Sequence, residues 1–140
     1  MIARERIGNV EIFHGLNEEE LRIASQFCRE ETVPPGTMLC REGDRADKLF
    51  IIEEGTVSVR AGSGTEFEIK GPGKILGWSF LVPPNRYTAS AATVTEAKLL
   101  TIKSPDFYDM VHKEPKMGLK IMDNLAQVVS RRLKAFADIH

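Results

Sequence analysis

The first thirty residues show the 3.6-residue period of an amphipathic α-helix. The apolar residues at this spacing are Leu21, Ile23, Ala24 and Phe27. Asn17, followed by three glutamates, is typical of an N-cap with acids at the positive end of the helix dipole. We expect this helix to run to about Cys28, after a short helix in VEIFHG that ends at Gly15. Residues 1–30 are therefore predicted to form a helical lead.

Regular turn signals divide residues 31–103 into short strands. The turn segments are PPG at 34–36, EGD at 42–44, EEG at 53–55, GSG at 62–64, GPG at 71–73 and PPN at 83–85. Apolar and polar residues alternate most clearly at 56–60 and 66–69, so one face of these strands is wet and the other packs inward. This spacing predicts an all-β sandwich or barrel built from hairpins.

Residues 104–140 return to helical spacing. Ser104 as N-cap and Pro105 as first helical residue predict one short helix, whose apolar residues are Phe107, Met110 and Val111. A second start at Glu114-Pro115 leads into a helix of roughly six turns without internal proline. Its apolar seam comprises Met122, Leu125, Val129 and Phe136, with Arg132 at a seam position. Packing on the barrel and packing against a second copy both remain open.

Composition narrows the protein class. The 140 residues suffice for one domain, 1–140, with a core. The net charge of −1 provides no global basic field for nucleic acid or an anionic membrane. The apolar runs are shorter than a membrane span, and the N-terminus does not resemble a signal peptide, so we expect a cytoplasmic protein. Cys28 and Cys40 lack CxxC spacing and are expected to be buried as small hydrophobic residues.

Little in the sequence favours an enzyme or a metal site. Each histidine, His14, His112 and His140, falls in or beside a predicted helix, whereas a metal-binding cupin places histidines on inward strands. The same placement disfavours imidazole acid–base catalysis. GxSxG, P-loop and CxxC motifs are absent from the sequence. Strand and turn carboxylates such as Glu53 and Glu66 are expected on a solvated face.

The stretch GWSFLVPPNRYTASA has the features of an anion site. A glycine-led turn exposes backbone N–H groups, and a single helical turn after it points them at one spot. The groups concerned are the amides of Gly77, Ser79 and Phe80, the hydroxyls of Ser79 and Thr88, and the guanidinium of Arg86. The stretch predicts a pocket for one phosphate or carboxylate. The alternative is an ordinary loop corner with an exposed arginine.

Four features follow one another in a fixed order from about Phe13 to Lys134. They are FHGLNEEEL, PPGTMLCREGDRADKLFIIEEGTVSV, GWSFLV followed by TASA, and the terminal helices. Together they resemble the cyclic nucleotide-binding domain of the catabolite activator (Crp/Fnr) regulators. The resemblance implies a double-stranded β-helix (jelly-roll) barrel with flanking helices. It also implies a phosphate-binding cassette at 77–91 and a long C-terminal helix used for dimerisation.

The start of the cassette departs from the family pattern. The family begins it with Gly-Glu, and the carboxylate accepts the ribose 2′-hydroxyl. Gly77 matches, but Trp78 stands where the family has glutamate. An indole N–H only donates, so it does not replace an acceptor with two oxygens. Trp78, together with Tyr87, offers aromatic surface instead, which suits a larger, flatter or less charged ligand or fills the pocket.

The end of the cassette departs as well. The family has Arg-Ser/Thr-Ala there, and the arginine pairs with the cyclic phosphate. If Thr88 and Ala89 match the last two positions, Tyr87 stands at the arginine position and Arg86 lies one residue early. A shift of one residue turns a strand side chain to the opposite face. Arg86 therefore reaches a phosphate only if the loop re-aims it.

The sequence therefore predicts a regulatory sensor domain that is not an enzyme. Its small effector is a cyclic nucleotide, cAMP or cGMP, or another small anionic molecule, and it signals through a homodimer formed by the C-terminal helix. The alternative is a ligand-free dimerisation or docking scaffold with a degenerate pocket. No winged helix-turn-helix follows RRLKAFADIH, so we expect no DNA-binding domain and no direct nucleic-acid contact in this chain.

Overall fold

The computed structural model describes residues 3–137, with side chains to Lys134. Its strands are β1 (Arg29–Val33), β2 (Met38–Cys40), β3 (Lys48–Glu54), β4 (Thr56–Ala61), β5 (Glu66–Lys70), β6 (Lys74–Leu76), β7 (Ala89–Thr93) and β8 (Ala97–Lys103). Its α-helices are α1 (Glu18–Ser25), α2 (Ser104–Lys113) and α3 (Pro115–Ala137), and short 3-10 helices cover Arg4–Arg6, Glu11–Phe13 and Trp78–Leu81. The predicted order of helical lead, strands and C-terminal helices is confirmed. Phe136 and His140 lie outside the described side chains.

The strands form two four-stranded antiparallel sheets that face each other. One has the order β1-β8-β3-β6 and the other the order β2-β7-β4-β5. Chain neighbours β2 and β3 lie in different sheets, and so do β6 and β7, so the chain crosses between the sheets in the jelly-roll manner. The predicted double-stranded β-helix with flanking helices is confirmed. The apolar core lies between the sheets and under the helices.

A hydrogen bond between side chains connects the N-terminal helical lead to α3. Asn17 accepts a hydrogen bond from the Glu20 backbone N–H (2.8 Å), and the Glu20 carboxylate accepts one from the Asn17 N–H (2.9 Å), which forms a capping box. Lys120 of α3 donates to the same carboxylate at 2.8 Å and holds the pKa of Glu20 below its usual value. Helix α1 ends at Ser25, earlier than the predicted end near Cys28.

One carboxylate expected on a wet face is largely covered. Glu53 pairs with Arg6, whose Nε and Nη2 lie 3.0 and 2.6 Å from its two oxygens. Only 15% of the Glu53 side chain is exposed. Glu30 accepts a further bond from Arg6, and these two acids raise the pKa of the guanidinium. The solvated-face prediction is therefore wrong for Glu53, because the N-terminal 3-10 helix folds over it, while Glu66 is exposed as expected.

Helices α2 and α3 meet at a sharp corner after β8. Helix α2 begins at Ser104 itself, so Lys103 is the N-cap and the prediction of Ser104 as N-cap was wrong by one residue. Pro105 occupies the first turn, where its missing N–H costs nothing. Helix α3 starts at Pro115, as predicted, and spans 23 residues.

Helix α3 has two apolar stripes, which corrects the single predicted seam. The inward stripe, whose residues are each at most 5% exposed, comprises Met117, Ile121, Leu125 and Val128. The outward stripe comprises Leu119, Met122, Ala126, Val129 and Leu133, of which Val129 is half-buried against the core and the others are exposed. Leu125 and Met122 had been assigned to one seam, yet Leu125 is 5% exposed and Met122 is 39% exposed. The inward stripe therefore packs on the barrel, and most of the outward stripe remains exposed.

Candidate functional site

The turn after β6 requires a glycine. Gly77 has φ 89° and ψ 30°, in the left-handed region, and opens the 3-10 turn Trp78–Leu81. A Cβ there would lie 3.1 Å from the Lys48 carbonyl oxygen and 3.2 Å from Cδ2 of Phe50. The backbone thus passes close to β3, and this approach fixes where the turn begins.

The corner that follows is closed by local hydrogen bonds. Asn85, at φ 63°, donates from its amide Nδ2 to the Phe80 carbonyl oxygen at 2.6 Å. The Asn85 backbone N–H donates to the Val82 carbonyl oxygen at 2.8 Å. These bonds return the chain to β7 and bring residues 87–89 back beside the turn at 77–79.

A cavity of about 280 Å³ lies beneath this turn. The inner face of the β2-β7-β4-β5 sheet forms its floor, and the C-terminal half of α3 forms one wall. Its lining residues are Cys40, Val59, Ala61, Phe67, Ile69, Leu76, Gly77, Trp78, Ser79, Tyr87, Thr88, Ala89, Ala91, Val129, Arg132 and Leu133. The lining is mainly apolar, and no carboxylate belongs to the part of it that the described side chains form. A concave apolar cavity with a few polar groups is the usual form of a small-molecule site.

Six of the eight predicted site residues line this cavity. They are Gly77, Trp78, Ser79, Tyr87, Thr88 and Ala89. The structure therefore brings together both ends of the cassette. The ligand-binding roles of all eight residues stay predictions.

The other two predicted residues lie elsewhere. Phe80 is 4% exposed and packs edge-on against Phe107 of α2, with ring centroids 5.4 Å apart. Arg86 is exposed, and its Nη1 donates to the Gly43 carbonyl oxygen at 2.8 Å. Its neighbour Tyr87 points into the cavity, so the period-two alternation of extended backbone places the two side chains on opposite faces. The loop does not re-aim Arg86 toward the cavity.

Tyr87 occupies the position at which the family has the arginine that pairs with the cyclic phosphate. Its hydroxyl donates to the Lys48 carbonyl oxygen at 2.9 Å and lies 3.1 Å from Oδ1 of Asp47. The same oxygen accepts from the backbone N–H groups of Lys48 (3.2 Å) and Asp47 (3.3 Å). Burial raises the pKa of Tyr87 to about 12, so the hydroxyl stays protonated at neutral pH. Since its hydrogen-bonding capacity is used within the protein, Tyr87 presents mainly its ring to the cavity.

The cation of the cavity comes from α3. The Cζ atom of Arg132 lies 5.0 Å from the centroid of the Trp78 ring, within cation–π range. Its Nη2 is 3.3 Å from Oε2 of Glu11. Burial lowers the pKa of Arg132, although Glu11 opposes this shift. Sequence reasoning missed this role, and the only signal was a cation within an apolar helix stripe.

The other potentially reactive side chains, two cysteines and a histidine, are buried or bonded within the fold. Cys28 and Cys40 are free and buried, and burial raises their pKa values to about 12 and about 11, so both stay thiols at neutral pH. His112 bonds its own helix through the Tyr108 carbonyl oxygen at 2.7 Å. Among the residues that the structure describes, no cluster of His, Cys, Asp and Glu is placed to hold a metal ion. In the same part of the chain, no helix is long and apolar enough to cross a membrane.

A jelly roll with one mainly apolar cavity beneath a glycine-led turn is a candidate small-molecule-binding domain. The family model of the cyclic nucleotide-binding domain matches residues 30–114, so the chain belongs to the cyclic nucleotide-binding domain family. This match, together with the similarity to a cyclic AMP receptor protein, confirms the predicted resemblance to the Crp/Fnr regulators.

Two relatives and one solved structure illustrate the similarity. The cyclic AMP receptor protein of Thermus thermophilus is 27% identical over 127 residues, which cover 88% of this chain and 57% of that protein. A cyclic nucleotide-gated potassium channel of Mesorhizobium japonicum is 30% identical over 112 residues, which cover 80% of this chain and 31% of the channel. A cyclic nucleotide-binding domain from Methylobacillus flagellatus shares the fold, with a TM-score of 0.82 at 20% identity over 97% of this chain and 79% of that one. The chain thus spans about half or less of these two relatives.

Proposed function

We propose that this chain is a regulatory sensor domain that binds one small effector in the cavity and passes occupancy to α3. The observation that carries the proposal is that α3 supplies part of the cavity wall, through Val129, Arg132 and Leu133. A ligand in the cavity would touch the helix directly. Binding would then favour the α3 arrangement that best fits the ligand, which is how an occupied site biases a conformational equilibrium.

The output surface is the outward stripe of α3. Leu119, Met122, Ala126, Val129 and Leu133 follow one another at intervals of three and four residues, the spacing of a coiled-coil seam. Leu119 and Leu133 are each 65% exposed. We propose that a second copy of the chain covers this stripe. Because Val129 and Leu133 belong to both the stripe and the cavity lining, ligand and dimer would share a wall.

The first effector candidates are cAMP and cGMP. Family membership and the relatives named as a cyclic AMP receptor and a cyclic nucleotide-gated channel support them. Another small anionic effector also fits, since Trp78 and Tyr87 replace the acceptor and the cation that the family uses for a cyclic nucleotide, while Arg132 provides a cation at another place in the lining. We propose no catalytic role and no direct nucleic-acid contact for this domain.

The first prediction concerns occupancy of the cavity. In a thermal-shift panel of cAMP, cGMP and cyclic dinucleotides, a ligand at 100 times its Kd should stabilise the fold by about 2.7 kcal/mol and raise Tm by about 8 °C. Ala89→Leu fills the cavity and should remove this shift. Ala92→Leu, on the opposite face of β7, is the matched control and should retain it. A panel without any shift would favour the ligand-free scaffold instead.

The second prediction concerns the dimer. In sedimentation velocity over a concentration series, the wild type should associate, and Leu119→Glu should weaken association by about 2 kcal/mol, because each dimer would bury the new charge twice. Gln127→Glu adds the same charge outside the stripe and should leave association unchanged. A wild type that stays monomeric at every concentration would contradict the dimer proposal while leaving the ligand site open.

A further inference from the structure

The positive charge in this cavity does not come from the cassette, as it does in the family. Among the residues that the structure describes, Arg132 is the only charged one in the lining, and it comes from α3 instead of the cassette. The floor and walls are formed by aliphatic and aromatic side chains, among them Val59, Phe67, Ile69 and Leu76. Such a cavity favours an apolar ligand body with one anionic group.

The guanidinium of Arg132 has donors to spare. An arginine carries five N–H donors, and among the described residues this one donates a single hydrogen bond, at 3.3 Å to Oε2 of Glu11. That oxygen also accepts the backbone N–H of Ile75 at 2.7 Å, and Arg131 lies 3.5 Å from Oε1. Glu11 is therefore shared among three donors. The contact with the Trp78 ring, 5.0 Å from Cζ to the ring centroid, is a cation–π contact and uses none of the remaining N–H donors.

The polar groups of a cyclic nucleotide would find few partners here. In the family a carboxylate accepts the ribose 2′-hydroxyl, whereas among the described residues no carboxylate lines this cavity, and the side-chain acceptors left are the hydroxyls of Ser79 and Thr88. The Tyr87 hydroxyl is already bonded to Lys48 and Asp47, and Arg86 binds Gly43 outside the cavity. Burying a polar group without a partner opposes binding. A ligand with fewer polar atoms avoids this penalty.

We propose that the cavity takes a small aromatic monocarboxylate, with its ring among the apolar walls beside Trp78 and Tyr87 and its carboxylate on Arg132. The proposal rests on the proposed function, because it requires an occupied cavity. The planar guanidinium fork matches two carboxylate oxygens, and one cation neutralises one negative charge. Aromatic lining residues favour an aromatic body through edge and stacking contacts. In binding, the ligand carboxylate competes with Glu11 for the guanidinium.

The test compares 3-phenylpropionate with its uncharged amide, 3-phenylpropionamide. Trp78 is the only tryptophan of the chain and borders the cavity, so its fluorescence reports binding, and calorimetry gives Kd. The acid should bind at least about tenfold more tightly than the amide, the size of a charge-assisted hydrogen bond. In Arg132→Gln the acid should lose about 10- to 100-fold and the amide should be unchanged. Lys134→Gln removes one positive charge from an exposed position of α3 outside the cavity and should shift either Kd by less than about twofold.

A second variant guards against simple damage to the fold. Glu11→Gln keeps an acceptor for the Ile75 N–H but no longer holds Arg132 as an ion pair, so it should strengthen acid binding by about three- to tenfold. A merely structural pair would make both variants bind more weakly. Weaker acid binding in Glu11→Gln would therefore overturn the proposal.

The outcomes separate this inference from the proposed function. Equal affinity for acid and amide, or a preference that survives in Arg132→Gln, overturns the carboxylate proposal. If at the same time cAMP or cGMP binds and Ala89→Leu abolishes that binding, the sensor function stands. If 3-phenylpropionate, its amide, cAMP and cGMP all leave Trp78 fluorescence unchanged, both proposals fail.

Discussion

Replacing Phe107 by alanine should lower the free energy of unfolding by about 4 kcal/mol, measured by urea denaturation. Phe107 is 1% exposed, and its ring packs edge-on against Phe80 at 5.4 Å and 69°. The loss combines the transfer of a large ring, the cavity left behind and the aromatic contact. Phe80 belongs to the turn that covers the cavity. Phe107→Ala therefore also removes a contact that holds this turn in place.

Two graded controls identify the cause. Phe107→Leu keeps most of the apolar volume and should cost about 1.5 kcal/mol or less. Tyr108→Phe, at a side chain 41% exposed whose hydroxyl donates to the Phe80 carbonyl oxygen at 3.3 Å, should cost less than about 1 kcal/mol. A loss below about 2 kcal/mol in Phe107→Ala would mean that α2 does not hold the turn.

Much of the fold could be predicted from local signals. The Asn17 cap and the turn formers work within a few residues, so the sequence alone locates them. The pairing of the strands was harder to predict from the sequence. Leu49 to Ile52 of β3 are all at most 2% exposed, because one face of this strand packs between the sheets while the other lies under the helices. A strand buried on both faces loses the alternation that identifies the wet strands β4 and β5.

The helix α3 shows a different limit. Periodicity predicts that a helix has apolar stripes, but it carries no information on which stripe meets the barrel. The sequence therefore merged Leu125, which packs inward, with Met122, which is exposed. The barrel uses one stripe, and the second becomes visible only once the first is assigned.

Some features of the candidate site could be predicted from the sequence, and one could not. The position of Gly77 and the outward direction of Arg86 follow from local backbone rules, and the sequence indicated both. Arg132 lies far along the chain from the cassette, and its place over Trp78 depends on the angle at which α3 crosses the sheet. No local rule contains that angle. The cation of the cavity could therefore be assigned only from the assembled structure.

A glycine at the contact between α2 and α3 gives the second large effect. Gly118, in the first turns of α3, is buried, and a Cβ there would lie 1.9 Å from the Val111 carbonyl oxygen of α2. In an exposed helix, alanine in place of glycine stabilises by about 1 kcal/mol. Here the clash is with backbone, which cannot turn aside as a side chain can. We expect Gly118→Ala to destabilise the fold by about 3 kcal/mol in urea denaturation.

Asp123→Ala is the control for helix propensity, since Asp123 is exposed in the same helix, and its effect should stay within about 0.5 kcal/mol. Gly118→Ala should also move α3 relative to the sheet. At a denaturant concentration where the variant is still folded, the emission of Trp78 should change, because Arg132 leaves its ring. Stabilisation by about 1 kcal/mol with unchanged emission would show that propensity alone acts at this position. The α2–α3 corner would then not determine where α3 meets the cavity.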